Sequence, residues 1–182
     1  MTGGLTRLEH FKMGLFPHYG VRQFDTLFTL SEPQARKAWL AQHGLEPGDY
    51  VVFVPGGRGE ATRVAEPAEL FITAAREFVA ATGQRTVVLT GRKAVVDIGD
   101  DPRLTLLPRV EPDEVQYLLS DALLVVSNGG STMIHVLAHG RPIVAIPLAG
   151  DQDRRIRRAV RLQIAETAER TPTAIAATAA RL

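Results

Sequence analysis

The chain has 182 residues, 45% hydrophobic and 23% charged, and a formal net charge of +1. These values suit one globular domain with a real core, and exclude a disordered chain or one drawn to nucleic acid by bulk charge. It has no cysteine, which excludes disulfides, thiolate metal sites and a cysteine nucleophile. No apolar run reaches bilayer length, and the N-terminal MTGGLTRLEHFKMG lacks a signal-peptide stretch, so the expected location is the cytoplasm.

In chain order, the first thirty residues crowd Phe11, Met13, Leu15, Phe16, Tyr19, Phe24, Leu27 and Phe28 without clean periodicity. Such a segment is expected to lie against something apolar. Ser31, Glu32 and Pro33 suit the start of a helix that Gly44 can end. Tyr50–Val54 reads as a buried strand bounded by Pro55-Gly56-Gly57, and Pro67–Ala81 as a helix with Leu70, Ala74, Phe78 and Ala81 near the helical period. Thr86–Leu89 and Leu104–Leu107 are further strands, and Pro112–Ser120 is a short helix. Ala122–Val126 is a fourth strand, Ser131–His139 a helix closed by Gly140, and Ile143–Ile146 a fifth strand. Helices over Gln152–Ile164 and Pro172–Leu182, the latter capped by Thr171, complete the pattern.

Strands that are apolar throughout and alternate with helices predict an α/β fold: a doubly wound, Rossmann-like parallel sheet of five to six strands with helices on both faces. The domain organisation follows: a segment plus helix over 1–47, the parallel-sheet unit over 48–164, and a C-terminal helix over 165–182. Ligands of such sheets bind beyond the carboxyl ends of the strands. Three strands end in Gly-containing loops, at Pro55–Gly59, Thr90–Lys93 and Ser127–Gly130, so the topology puts all three on one rim.

Gly129-Gly130-Ser131-Thr132, between a strand and a helix, suits a phosphate or diphosphate: glycines let backbone N–H groups approach, and the helix dipole favours negative charge. A tight turn without a ligand is the plain alternative. Arg58 can reach a phosphate bidentately, or stand exposed in its loop. Arg92 and Lys93 share the rim. Asp151-Gln152-Asp153 admits three readings: a metal-holding Asp-x-Asp, polar contacts to a ligand, or a helix N-cap. Arg154, Arg155, Arg157, Arg158 and Arg161 read first as a solvated face over a stripe of Ile156, Ala159, Val160 and Ile164, and second as contacts to anionic headgroups or a phosphorylated acceptor. Of the five histidines, His135 and His139 are four apart on one helix and could share a face, but no third ligand is evident, and no metal site is expected.

The stretch from Ser127 through Gly129-Gly130-Ser131-Thr132 and Ala138-His139-Gly140-Arg141-Pro142 to Pro147 and Asp151-Gln152 resembles the donor-binding signature of GT-B glycosyltransferases. It is most similar to UDP-glycosyltransferases and the lipid-linked GlcNAc transferases of peptidoglycan synthesis. The resemblance implies that Asn128, Gly129, Gly130, Ser131 and Thr132 hold the diphosphate, with Arg58 or Arg92 assisting. By the same resemblance, Asp151 and Gln152 contact donor-sugar hydroxyls, Arg109 and Val110 hold the base through their backbone, and Gly57 and Arg58 close over the phosphates. His135 stands where the family has an acidic residue for the ribose, and it donates one proton where a carboxylate accepts two.

The family's acceptor-binding domain, which usually supplies the catalytic base, has no counterpart beyond residue 30. The expectation is therefore a donor-binding domain, inactive in isolation, that works with an acceptor domain or subunit. It would use a nucleotide sugar, most readily a UDP-sugar, with no cofactor or metal, and could touch the inner membrane face peripherally. Two rival readings are half of a sugar-nucleotide 2-epimerase and a non-catalytic sugar-nucleotide-binding module.

Overall fold

A computed structural model of the chain describes residues 32–56, 65–90, 101–107 and 110–182. The strands are β1 (Val51–Val54), β2 (Thr86–Leu89), β3 (Leu104–Leu107), β4 (Leu124–Asn128) and β5 (Ile143–Ile146). The helices are α1 (Pro33–Gln42), α2 (Ala65–Thr82), α3 (Pro112–Ser120), α4 (Ser131–Ala138), α5 (Gly150–Arg161) and α6 (Pro172–Ala179).

All five strands are parallel, in the order β3-β2-β1-β4-β5. The order reverses between β1 and β4, which opens a crevice at the carboxyl ends of that pair. β1, β2 and β5 are buried at every position because helices cover both sheet faces. On one face, Val52, Val54, Val87, Val125 and Ala145 meet Leu40 of α1, Leu118 and Leu119 of α3, Met133 and Val136 of α4, and Ile156 and Ala159 of α5. On the other, Val51, Phe53, Val88, Val126 and Ile146 meet Phe71, Ile72, Phe78 and Val79 of α2 and Ile175 and Ala179 of α6.

The fourth strand differs from the sequence expectation by two residues. Pairing decides it: Leu124 aligns with Val51 and Ser127 with Val54, and Asn128 reaches Ile146 of β5. The strand therefore carries the chain right up to the glycines. Beyond β5, Glu166 makes an isolated parallel bridge to Val144, with Ala145 N donating to Glu166 O at 2.8 Å. That single bridge is the trace of a sixth strand, and it covers an edge that would otherwise be open. Thr171 accepts from Ala174 N at 3.3 Å and caps α6, whereas Asp151 lies inside α5, whose N-cap is Ala149.

At the end of α3 lies a buried charge cluster. Asp121 is 7% exposed. Arg36 Nε approaches Asp121 Oδ2 to 2.8 Å, and Arg141 approaches Oδ1 to 3.8 Å. Neither Asp121 Oδ2 nor Arg141 Nε makes a well-directed hydrogen bond, so the attraction is mainly coulombic. Asp121→Ala leaves two guanidinium groups short of their counter-charge. Both arginines are about a third exposed, so water offsets part of the loss. The expected cost is about 2 kcal/mol, below the value for a fully buried pair, read as a lower urea midpoint at unchanged m.

Candidate functional site

The carboxyl ends of β1 and β4 lie side by side and carry the Gly56 and Gly129-Gly130 turns. Asn128 joins them. Its Oδ1 accepts from Gly130 N at 3.0 Å. Its Nδ2 lies so close to Gly56 that a Cβ there would fall inside the amide, and Gly56 has φ +91°, a conformation glycine adopts freely. Two loops 72 residues apart in sequence thus pack together through one side chain that only a glycine neighbour admits.

Gly130 is the N-cap of α4 and makes no side-chain cap, and the helix's first turn has no acidic residue. The Gly130 N–H belongs to Asn128. The first-turn amides of Ser131, Thr132 and Met133 are the donors that a helix start leaves without an intrahelical partner. Ser131 is exposed and Thr132 half-buried, while Gly129 is buried. Gly129 lies under α5: a Cβ on it would meet Ile156 Cδ1 at 2.7 Å and Gln152 Cβ at 2.9 Å. The turn is therefore covered on the Gly129 side and open at Ser131.

α5 brings two expected residues and one unexpected one to this place. Gln152 Oε1 accepts from Leu148 N at 2.9 Å and so tightens the loop after β5. Asp151 is mostly exposed and lies 3.5 Å from Arg155 Nη2. Arg155, which sequence reasoning assigned to a solvated basic face, donates through Nη1 to the carbonyl of Gly129. It is a cation held against the turn. The spacing of the arginine run carries no sign of this, because the partner lies 26 residues earlier. Its neighbour Arg157 pairs within the helix with Asp153 at 2.5 Å.

His135 lies one turn into α4 and faces α3. Its Nδ1 is 2.6 Å from Gln116 Nε2, and His139 Nε2 is 3.0 Å from Gln116 Oε1. Burial pushes both imidazole pKa values below 6.5, and for His139 the neighbouring His135 adds to this. Val110 is half-buried against the core at the start of the loop into α3. The structure thus gathers Asn128, Gly129, Gly130, Gln152 and Arg155 around one turn and puts Ser131 and Thr132 at its mouth. Gly57, Arg58, Arg92 and Arg109 lie outside the described residues. Among the described residues, no helix is long and apolar enough to cross a membrane.

An all-parallel sheet in this order, with helices on both faces and a glycine turn at the switch point, defines a doubly wound, Rossmann-like α/β domain. Solved structures share the fold. The glycosyltransferase of kitacinnamycin superposes with a TM-score of 0.59 at 21% identity, over 88% of this chain and 38% of that one. A putative UDP-N-acetylglucosamine 2-epimerase from Listeria monocytogenes gives 0.57 at 12%, over 84% and 39%. Staphylococcus aureus MnaA, solved with UDP, gives 0.59 at 9%, over 85% and 40%. The chain thus spans about two fifths of the length of these neighbours. No protein-family model and no curated protein matches it.

Proposed function

We propose that the domain binds a nucleoside diphosphate sugar, with UDP as the carrier, and presents it for transfer of the glycosyl group to an acceptor hydroxyl. The acceptor side and the general base would come from a second domain or subunit. The observation that carries this reading is the Asn128–Thr132 turn: an α4 start without side-chain cap or acid, fixed by Asn128 at the carboxyl end of β4. Charge builds on the leaving diphosphate during such a transfer. Oriented amides stabilise it without reorganising, and need no metal to do so. Arg155, held at the Gly129 carbonyl, adds a positive charge beside them. In this reading the arginines, Asn128, Gly130 and the hydroxyls of Ser131 and Thr132 bind the diphosphate, and Asp151 and Gln152 meet the sugar.

A 2-epimerase half is the second reading, supported by a TM-score of 0.57 to the Listeria protein against 0.59 to the glycosyltransferase. Product analysis separates the two when the domain is assayed together with an acceptor-side domain. An epimerase changes the sugar at C2 with no acceptor present, whereas a transferase needs one.

The binding claim is tested on this chain alone. UDP at about a hundred times its Kd is expected to stabilise the domain by about 2.7 kcal/mol, a rise of several degrees in melting temperature. Inorganic phosphate should do far less. A melting curve that neither UDP nor UDP-N-acetylglucosamine moves at millimolar concentration, with no heat of binding, ends the proposal.

A further inference from the structure

The polar bridge between α3 and α4 sits away from the glycine turn and is built from three residues that hydrogen-bond side chain to side chain. Gln116 Nε2 lies 2.6 Å from His135 Nδ1, and Gln116 Oε1 lies 3.0 Å from His139 Nε2. His135 on α4 and His139 at its C-cap are one turn apart, so one amide spans both rings. A primary amide has a donor end and an acceptor end. In the arrangement seen, His135 Nδ1 accepts and His139 Nε2–H donates. A proton added to His139 leaves both bonds intact. A proton added to His135 sets N–H against N–H, unless the amide turns over. Turned over, the amide needs His139 to accept, which a protonated ring cannot do. In either orientation, two imidazolium rings leave one end facing a like donor.

We propose that Gln116 makes the α3–α4 contact a proton-counting clamp, closed with no proton or one on the histidine pair and opened by the second. The charges around the pair act the same way. Arg36 on α1 and Arg141 after α4 oppose protonation of His139, as does His135, while Asp121 at the end of α3 favours it. Both rings are half-buried, and burial disfavours their cations. Because folding lowers both pKa values, the contribution of the pair to stability is complete above 6.5 and is lost as the pH falls through the folded values. α4 leads directly from the Asn128–Thr132 turn, so acid loosens the helix that carries it. The clamp itself does not depend on what that turn binds.

The test follows the imidazole nitrogens of the full chain by 15N-detected correlation spectra from about pH 8 to about pH 5. His135 and His139 are expected to titrate one after the other, their midpoints separated by about one unit or more. At high pH both should be Nε2–H tautomers. Gln116→Glu replaces the donor end with a second acceptor, and is expected to raise both midpoints and to abolish or reverse the fall in melting temperature on acidification. The clamp is overturned by two histidines that protonate together at the midpoint of a free imidazole. It is equally overturned by a folded Gln116→Glu protein whose midpoints do not move. Should that variant fail to fold, the wild-type titration decides alone.

Discussion

Gly130→Asp is expected to abolish the stabilisation by UDP while leaving the unliganded domain as stable as before. Gly130 has φ −83° and ψ −155°, extended backbone open to any residue, so no strain opposes the change. A Cβ there meets Asn128 Oδ1 at 2.8 Å, and the Asn128 side chain must swing aside and release the Gly130 N–H. Against that loss stands a gain. Aspartate is a preferred N-cap, and its carboxylate accepts from the second or third amide of the helix, worth about 1 kcal/mol. The two effects roughly cancel in the free protein.

In the liganded protein they reinforce each other. The carboxylate occupies the donors the diphosphate needs and sets a negative charge where a negative ligand must come. The full shift, about 2.7 kcal/mol at a hundredfold excess over Kd, should vanish. Thermal melts of both proteins with and without UDP check this. A Gly130→Asp protein that still responds to UDP would place the nucleotide somewhere other than the start of α4.

The parts of the fold that were legible in sequence are those whose environment is uniform along the chain. Val51–Val54, Thr86–Leu89 and Ile143–Ile146 are buried on both faces, so each shows an unbroken run without the alternation of a half-exposed strand. Thr171 caps its own helix, and that motif is local. What stayed hidden depends on contacts between distant segments. The two-residue extension of β4 to Asn128 is set by its partners on β1 and β5, not by its own apolar content. Gln116 is one polar residue on a short helix until the fold brings it to histidines 19 and 23 positions later.

Of the candidate site, the strand–glycine–helix turn could be read directly, because a glycine pair at that junction is a local signal. The reason for each glycine could not. Gly56 and Gly130 leave room for the Asn128 amide, and Gly129 leaves room for α5. These are steric requirements imposed by neighbours, and they would exist with or without a ligand. The turn is thus shaped by packing first, and the same packing holds its open side in position.

Disturbing that packing is expected to destabilise the domain. Gly129→Ala adds a methyl 2.7 Å from Ile156 Cδ1, 2.8 Å from Ile156 Cγ1 and 2.9 Å from Gln152 Cβ. Ile156 is 2% exposed and embedded in the core, and a Cβ moves only with its backbone. Relief therefore means shifting α5 off the sheet, at about 1–3 kcal/mol, and Gly129→Val should reach or pass the upper end. The shift also pulls Arg155 from the Gly129 carbonyl, so UDP affinity should fall along with stability. Truncating Ile156 to Ala costs about 2–5 kcal/mol by leaving a cavity, but that cavity lies where the new methyl must go. The double variant Gly129→Ala/Ile156→Ala should therefore be less destabilised than the sum of its parts, with a coupling of about 0.5–3 kcal/mol. Urea unfolding of the four proteins measures it. Strict additivity would mean that Gly129 and Ile156 do not touch, and that the wall of the turn is not α5.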